Sequence, residues 1–120
     1  MGRSNQIEIL NLAAALDRLG GDSELLGEIA KLFLDSVPEM LARVRDAVAC
    51  GDARGLERAA HALKGSLGNF SAEAALEAAF RLERMGGTGE LVGMEEACQA
   101  LEREIERLRP ALAALEQKSG

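Results

Sequence analysis

The stretch Met94–Leu115, MEEACQALEREIERLRPALAAL, decides the fold class of this chain. Its apolar residues recur at alternating steps of three and four: Met94, Cys98, Leu101, Ile105, Leu108, Leu112 and Leu115. That spacing places one apolar stripe along a helix and is typical of the seam of a helical bundle or coiled coil. We expect Pro110 to kink or end the last turns, because proline lacks the N–H that continues a helix.

Three further amphipathic helices are predicted upstream, over residues 22–49, 53–69 and 72–86. The last of these carries Ala72, Ala75, Leu76, Ala79, Phe80 and Leu82 as its apolar residues. Each helix has a side chain near its start that can accept a hydrogen bond from the first free N–H groups. These candidate N-caps are Asp22, Asp52 and Ser71.

Glycines mark the expected helix ends, because the residue after a helix often takes a left-handed conformation. They are Gly20–Gly21, Gly51 and Gly86–Gly87. A short leading helix is predicted over residues 11–19, and the last helix is expected to begin near residues 88–90. Pro38 lies inside the longest predicted helix and should kink or disturb it locally.

These elements predict an all-α fold, an antiparallel four-helix bundle with a short extra N-terminal helix. The composition agrees, since aromatic residues make up 2% of the chain and strands favour aromatic and β-branched residues. A length of 120 residues fits one domain, 1–120, with its core over about 11–116.

The net charge of −6 argues against a nucleic-acid-binding protein, which normally presents a basic face. No apolar run reaches the roughly 18 residues of a membrane span, and no apolar signal segment follows Met1, so we expect a cytoplasmic protein. Cys50 and Cys98 form no CxxC motif and are expected to be small buried residues without a disulfide.

The chain has one histidine, His61, in the helix predicted over 53–69. With Leu56 at zero on a helical wheel, the apolar stripe of this helix falls within about 40° of one direction, and His61 falls near 140°. The stripe consists of Leu56, Ala60, Leu63, Leu67 and Phe70. The histidine is therefore predicted to face away from the core.

Two glycines, Gly65 and Gly68, lie on the same outer face as His61, although glycine inside a helix costs about 1 kcal/mol relative to alanine. Lys64 follows His61 at the i+3 position, within reach of a group attached to the ring. A surface with so few side chains would let another protein approach the imidazole, which is mostly uncharged and nucleophilic at neutral pH. These are the requirements for phosphoryl transfer to and from histidine.

Other interpretations of a single histidine are weaker. An exposed histidine with no function is common, but it does not explain the neighbouring lysine and glycines. A zinc site needs three or four ligands, and His61 with Glu57 at i−4 supplies only two. Hydrolysis would need a nucleophile beside the ring, whereas Ser66 falls near 280° on the wheel.

The sequence HALKGS at 61–66, followed by GNFSA at 68–72, closely resembles the signature of histidine phosphotransfer (Hpt) domains. The sequence FLDSVP at 33–38, Leu41, the Gly51–Asp52 turn and Leu82–Glu83 before a glycine turn also resemble that family. The resemblance extends over about residues 12–112. Two residues depart from the commonest pattern, Leu67 in place of a frequent serine and Ser71 in place of a frequent glycine, and neither lies on the histidine face.

The resemblance implies a phosphoryl carrier, without kinase activity of its own, in a multistep phosphorelay. His61 would accept the group at Nε2 from the aspartyl phosphate of one receiver domain and pass it to an aspartate of another. Lys64 would help to neutralise the phosphoryl group, and Gly65, with Gly68, would leave room for the receiver. No cofactor or metal is implied for this chain, because the receiver supplies the Mg²⁺ site. The implied partners are response-regulator receiver domains and a sensor or hybrid histidine kinase.

Three alternatives remain open from the residues. The dimerisation and phosphoacceptor domain of a histidine kinase usually has an acid directly after the histidine, where this chain has Ala62. The phosphoacceptor domain of a chemotaxis-type kinase shares the histidine, lysine and glycine. A bundle that serves only as a scaffold would not need His61, Lys64 and Gly65 together. We expect a monomer, and the sequence does not identify the cognate kinase or response regulator.

Overall fold

The computed structural model describes residue 17 and residues 20–90 and 92–119. Within them four α-helices follow one another, with a single 3₁₀ turn, Gly68–Phe70, and no β-strand. The helices are α1 (Ser23–Cys50), α2 (Ala53–Leu67), α3 (Glu73–Thr88) and α4 (Met94–Ser119). Helices α1 and α2 pack together, α3 packs against α2 and α4, and α4 closes the bundle against α1. The predicted all-α helical bundle is confirmed.

Two of the three predicted N-caps are confirmed. A carboxylate oxygen of Asp22 accepts a hydrogen bond from the Leu25 N–H at 3.0 Å, and one of Asp52 accepts from the Gly55 N–H at 2.9 Å. Between these two starts, α1 ends at Gly51, whose φ of 67° is left-handed. These local signals set the turn between α1 and α2, and with it the start of the helix that carries His61.

The third predicted N-cap, Ser71, is wrong. Helix α2 ends at Leu67 rather than at residue 69, and the 3₁₀ turn follows it. Ser71 ends that turn in a left-handed conformation with a φ of 51°, so its backbone is not extended as an N-cap requires. Ala72 stands at the start of α3 instead, without a side-chain cap.

The predicted end of α3 at Gly86–Gly87 is also wrong. The helix continues through both glycines to Thr88, and Gly89 ends it with a φ of 75°. The last helix accordingly begins at Met94 rather than near residues 88–90. Both prolines lie inside continuous helices, and Pro110 does not end α4, which runs on to Ser119. The short helix predicted over 11–19 lies outside the described residues, apart from the helical Asp17.

The core confirms the predicted apolar stripes of α2 and α4. The four stripe residues within α2 and Phe70 of the 3₁₀ turn are fully buried, and all seven stripe residues of α4 are buried. Phe70 packs edge-on against Phe33 of α1, with 5.7 Å between the ring centroids. The side of α2 that carries Leu56, Ala60 and Leu63 is thereby committed to the core, and the opposite side faces out.

The two cysteines differ in their surroundings. Both are free thiols, but Cys50 is exposed, so the expectation that both are buried is wrong for Cys50. Cys50 is the last residue of α1, where the helix ends at the Gly51 turn. Cys98 is fully buried among the stripe residues of α4, and this burial raises the pKa of its thiol.

One exposed ion-pair network joins the two longest helices. Arg45 of α1 donates to Glu102 of α4 through Nε at 2.6 Å and also through its second terminal nitrogen. A further contact of 3.3 Å joins Arg45 to Glu95. None of the helices in the described part of the chain is long and apolar enough to cross a membrane.

Candidate functional site

His61 lies on the outer face of α2, as the helical wheel predicts. Its side chain is 68% exposed, whereas Ala60 and Leu63 on the opposite face are fully buried. The packed core face of α2 therefore places the imidazole at the protein surface, where most of the ring is exposed to solvent.

Glu83 of α3 contacts the ring of His61, with 2.8 Å between Oε2 and Nδ1. Local sequence spacing does not predict this role for Glu83, because the contact joins two helices. An ionised carboxylate can only accept hydrogen bonds, so this contact assigns the proton of the neutral ring to Nδ1. Nε2 is then the unprotonated nitrogen, with its lone pair available.

Lys64 contacts the other oxygen of the same carboxylate. Its Nζ lies 2.8 Å from Oε1 of Glu83, and its ammonium lies 4.9 Å from the centre of the Phe80 ring. The Lys64 side chain is 31% exposed and that of Glu83 only 18%. The predicted neighbours His61 and Lys64 are thus brought together, and Glu83 is the bridge between them.

The electrostatics of Glu83 fit this bridging position. The hydrogen bond with Lys64 lowers the pKa of Glu83 below its ordinary value of 4.5, and the bond with His61 lowers it further, while burial acts in the opposite direction. Glu83 is therefore ionised at neutral pH. One negative charge faces the ring nitrogen and the ammonium at the same time.

Gly65 and Gly68 both leave open space next to the histidine face. A methyl group built at either position would meet no atom within 4 Å. Gly65 lies in the last turn of α2, as predicted, but Gly68 begins the 3₁₀ turn and is not inside the α-helix. Neither glycine has a left-handed φ, so the backbone conformation at these two positions does not require glycine.

Phe80 adjoins this site from α3. The sequence pattern groups it with the apolar residues of that helix, yet 46% of its surface is exposed. Lys64 covers one part of the ring, and the guanidinium carbon of Arg84 lies 5.7 Å from its centre. Two cations therefore flank an exposed aromatic ring beside His61.

No metal site accompanies this arrangement within the described ranges. Over residues 20–90 and 92–119, no group of three or more histidine, cysteine, aspartate or glutamate side chains is placed to hold an ion. The chemistry at hand is that of an exposed imidazole, an ammonium and one shared carboxylate.

The described part of the chain is thus a helical bundle that presents an exposed imidazole beside a lysine and two glycines. The family model described as Hpt domain matches residues 28–111, more than two thirds of the chain, and the chain belongs to that family. Comparison with curated proteins and with solved structures gave no significant match. Hpt domains transfer phosphoryl groups in phosphorelays, are carriers rather than independent kinases, and interact with receiver domains and histidine kinases.

Proposed function

We propose that His61 is the phosphoacceptor, taking a phosphoryl group from the aspartyl phosphate of one receiver domain and passing it to an aspartate of another. The contact between Glu83 Oε2 and His61 Nδ1 carries the proposal. It leaves Nε2 as the nucleophilic nitrogen on a side chain that is 68% exposed. A nitrogen in this position is accessible to the phosphorus atom of a docked partner.

The transfer needs no proton to move at the ring. The lone pair of Nε2 forms the new N–P bond while the P–O bond to the aspartate breaks, and that bonding pair leaves with the carboxylate. Nδ1 keeps its proton throughout, so the ring becomes a phosphorylated imidazolium. Transfer to the second receiver is the reverse step, with an aspartate oxygen as the nucleophile.

Glu83 and Lys64 have complementary roles in this step. The carboxylate of Glu83 stabilises the positive charge that develops on the ring, because it already accepts from Nδ1. Lys64 can donate to the phosphoryl oxygens, because an ammonium has three N–H donors and Glu83 accounts for one contact. Both groups are in place before the partner arrives, which limits reorganisation during transfer.

Gly65 and Gly68 supply the access that the reaction needs. The reacting atoms must approach to about 3–3.5 Å, so the receiver has to dock close to the helix surface. The open space above both glycines permits this approach. We assign the Mg²⁺ that assists the reaction to the receiver domain, where the acyl phosphate is formed and broken.

The test is phosphotransfer from ³²P-labelled receiver domains of the source organism to the native protein and to His61→Gln. We expect acid-labile, base-stable label on the native protein and none on His61→Gln, with identical helical circular dichroism for the two. Label on His61→Gln would place the phosphoacceptor elsewhere. No label on the native protein from any receiver would favour the scaffold alternative.

The direction of transfer is read from the same set of proteins. Purified phospho-protein is mixed with each unlabelled receiver, and loss of label from His61 identifies the receivers that accept it. A carrier is expected to exchange with at least two receivers, one as donor and one as acceptor. Transfer of label to receivers but from none of them would instead support the phosphoacceptor domain of a chemotaxis-type kinase.

A further inference from the structure

A groove runs along the outer face of α3 next to the candidate site. It has a volume of about 490 Å³, and the residues that line it include Phe80, Arg81, Arg84, Met85 and Val92. Two apolar side chains in it are exposed, Phe80 to 46% and Val92 to 84%. Large exposed apolar residues that lie together usually mark a contact surface.

The groove is continuous with the chemical site. The Phe80 ring is in contact with the ammonium of Lys64, whose Glu83 partner also binds His61. A partner that covers Phe80 therefore lies beside Lys64, which shares the Glu83 carboxylate with His61. The groove is at the edge of the reaction site and not on a remote face of the bundle.

The groove as a whole is of mixed charge, because Glu77 and Glu90 line it together with Arg81 and Arg84. The charged groups placed against the Phe80 ring, however, are the cations of Lys64 and Arg84, although the whole chain has a net charge of −6. In the proposed reaction the partner presents an aspartate or its phosphate, which are both anionic. Two cations against an apolar ring are complementary to such a partner.

We propose that Phe80 and Arg84 form the specificity-determining contact for the receiver domain, which docks over α3 with an apolar residue against Phe80 and an acidic rim against Arg84. The inference rests on the proposed phosphotransfer function and adds where and by what chemistry the partner is held. Burial of Phe80 supplies affinity, and Arg84 discriminates between receivers by charge.

A second groove, between α1 and α2, is less suited to this role. It has a volume of about 540 Å³ and is lined by Met40, Ala59 and Ala62 among others. No large exposed apolar side chain lines it, and Met40 is half-buried. We therefore place the apolar anchor on α3.

The experiment measures the affinity and the transfer rate of a receiver that labels the native protein. Phe80→Ala and Arg84→Glu are compared with Leu32→Ala and Arg103→Glu, which alter an exposed leucine of α1 and an exposed arginine of α4. We expect Phe80→Ala and Arg84→Glu each to raise the dissociation constant of the receiver complex by about tenfold or more, as for a central interface residue. The two control variants should bind like the native protein.

A chemical phosphoryl donor separates docking from chemistry. Phosphoramidate phosphorylates an accessible imidazole without a protein partner, since its P–N bond breaks, the N–P bond to the ring forms and ammonia leaves. We expect Phe80→Ala and Arg84→Glu to be labelled by phosphoramidate at the native rate. Slower labelling of both variants would show that they act through Lys64 and would overturn the docking proposal.

Two further results would also overturn it. One is native affinity and native transfer in both variants, while the native protein and His61→Gln still behave as the proposed function requires. The other is a native protein that is a dimer by sedimentation and becomes a monomer in Phe80→Ala, because the groove would then belong to a second copy of this chain. Failure of the native protein to take label from any receiver would refute the proposed function itself.

Discussion

Glu83 Oε2 lies 2.8 Å from His61 Nδ1, and this contact between α3 and α2 assigns the proton of the neutral imidazole to Nδ1. The other oxygen of the same carboxylate lies 2.8 Å from Lys64 Nζ. One carboxylate thus contacts both the imidazole and the ammonium. The site is a property of two packed helices and not of the His61 segment alone.

Replacement of Glu83 should slow transfer in a graded manner. Glu83→Ala removes the acceptor for Nδ1–H and frees the ring, and we expect a fall in single-turnover rate of roughly tenfold to a hundredfold, the scale of a misplaced reacting group. Glu83→Gln keeps an acceptor oxygen but loses the charge, so its transfer rate should lie between those of the native protein and Glu83→Ala. Ring ¹⁵N chemical shifts report the tautomer. A ring in Glu83→Ala that stays protonated at Nδ1 and reacts at the native rate would contradict this role.

Lys64→Ala should slow transfer and leave the fold intact. The side chain is 31% exposed, and an ion pair of this kind contributes about 0–1 kcal/mol to stability. Its loss should also raise the pKa of Glu83, because the bond with Lys64 is the largest cause of the lowered value. Urea unfolding and single-turnover transfer measure the two effects, with the exposed Lys31→Ala on α1 as the control. A large loss of stability would show that Lys64 is mainly structural.

Gly65→Leu should block docking without disturbing the bundle. A Cβ at Gly65 points into open space, so we expect no loss in the free energy of unfolding. The leucine would stand where the receiver must approach, and we expect transfer to slow by about tenfold or more. Labelling by phosphoramidate should be nearly unchanged, because a small donor avoids the obstruction. Native transfer with a receiver would refute the role of Gly65 as a clearance for the partner.

The sequence predicts the parts of this molecule that depend on one helix at a time. The stripe from Met94 to Leu115 and the outward position of His61 follow from the 3.6-residue period alone, and the structure confirms both. The N-caps at Asp22 and Asp52 were equally local. Such features need no knowledge of what packs against the helix.

The features that the sequence did not predict correctly are those that depend on contact with, or connection to, a second segment of the chain. Glu83 reaches His61 only because α2 and α3 run side by side in opposite directions, which no spacing within α3 reveals. The pair Gly86–Gly87 has the local appearance of a helix end, yet Gly86 is a contact with α2. Ser71 has the side chain of an N-cap, but the preceding 3₁₀ turn gives it a left-handed backbone.

Acid should weaken the site through Glu83. The pKa of this carboxyl group is lowered in the folded protein, so the unfolded chain binds more protons in the interval below 4.5. Its contribution to stability is therefore present above pH 4.5 and is lost as the pH falls through the lowered value. Urea unfolding measures this between pH 3 and pH 7. The free energy of unfolding of the native protein should exceed that of Glu83→Gln near pH 7, and the difference should shrink toward pH 3. A difference that is independent of pH would contradict the ionised bridge.

Gly86→Ala and Gly87→Ala should change stability in opposite directions. A methyl group on Gly86 would lie 2.6 Å from the carbonyl oxygen of Ala53 and 2.6 Å from the backbone nitrogen of Glu57, neither of which can move aside alone. We expect a loss of about 1–3 kcal/mol, the usual result of overpacking, in spite of the better helix propensity of alanine.

The matched position is more tolerant, because a methyl group on Gly87 meets only the Glu57 carboxylate, at 3.1 Å, and that side chain can rotate away. Gly87→Ala should therefore gain up to about 1 kcal/mol from helix propensity. Urea unfolding of both variants decides the matter. Glu83 lies one turn before Gly86 on α3, so displacement of the helix in Gly86→Ala should also lengthen the contact between Glu83 and His61. We therefore expect slower phosphotransfer in Gly86→Ala and a native rate in Gly87→Ala. Equal stability of the two variants would refute the close approach of α3 to α2.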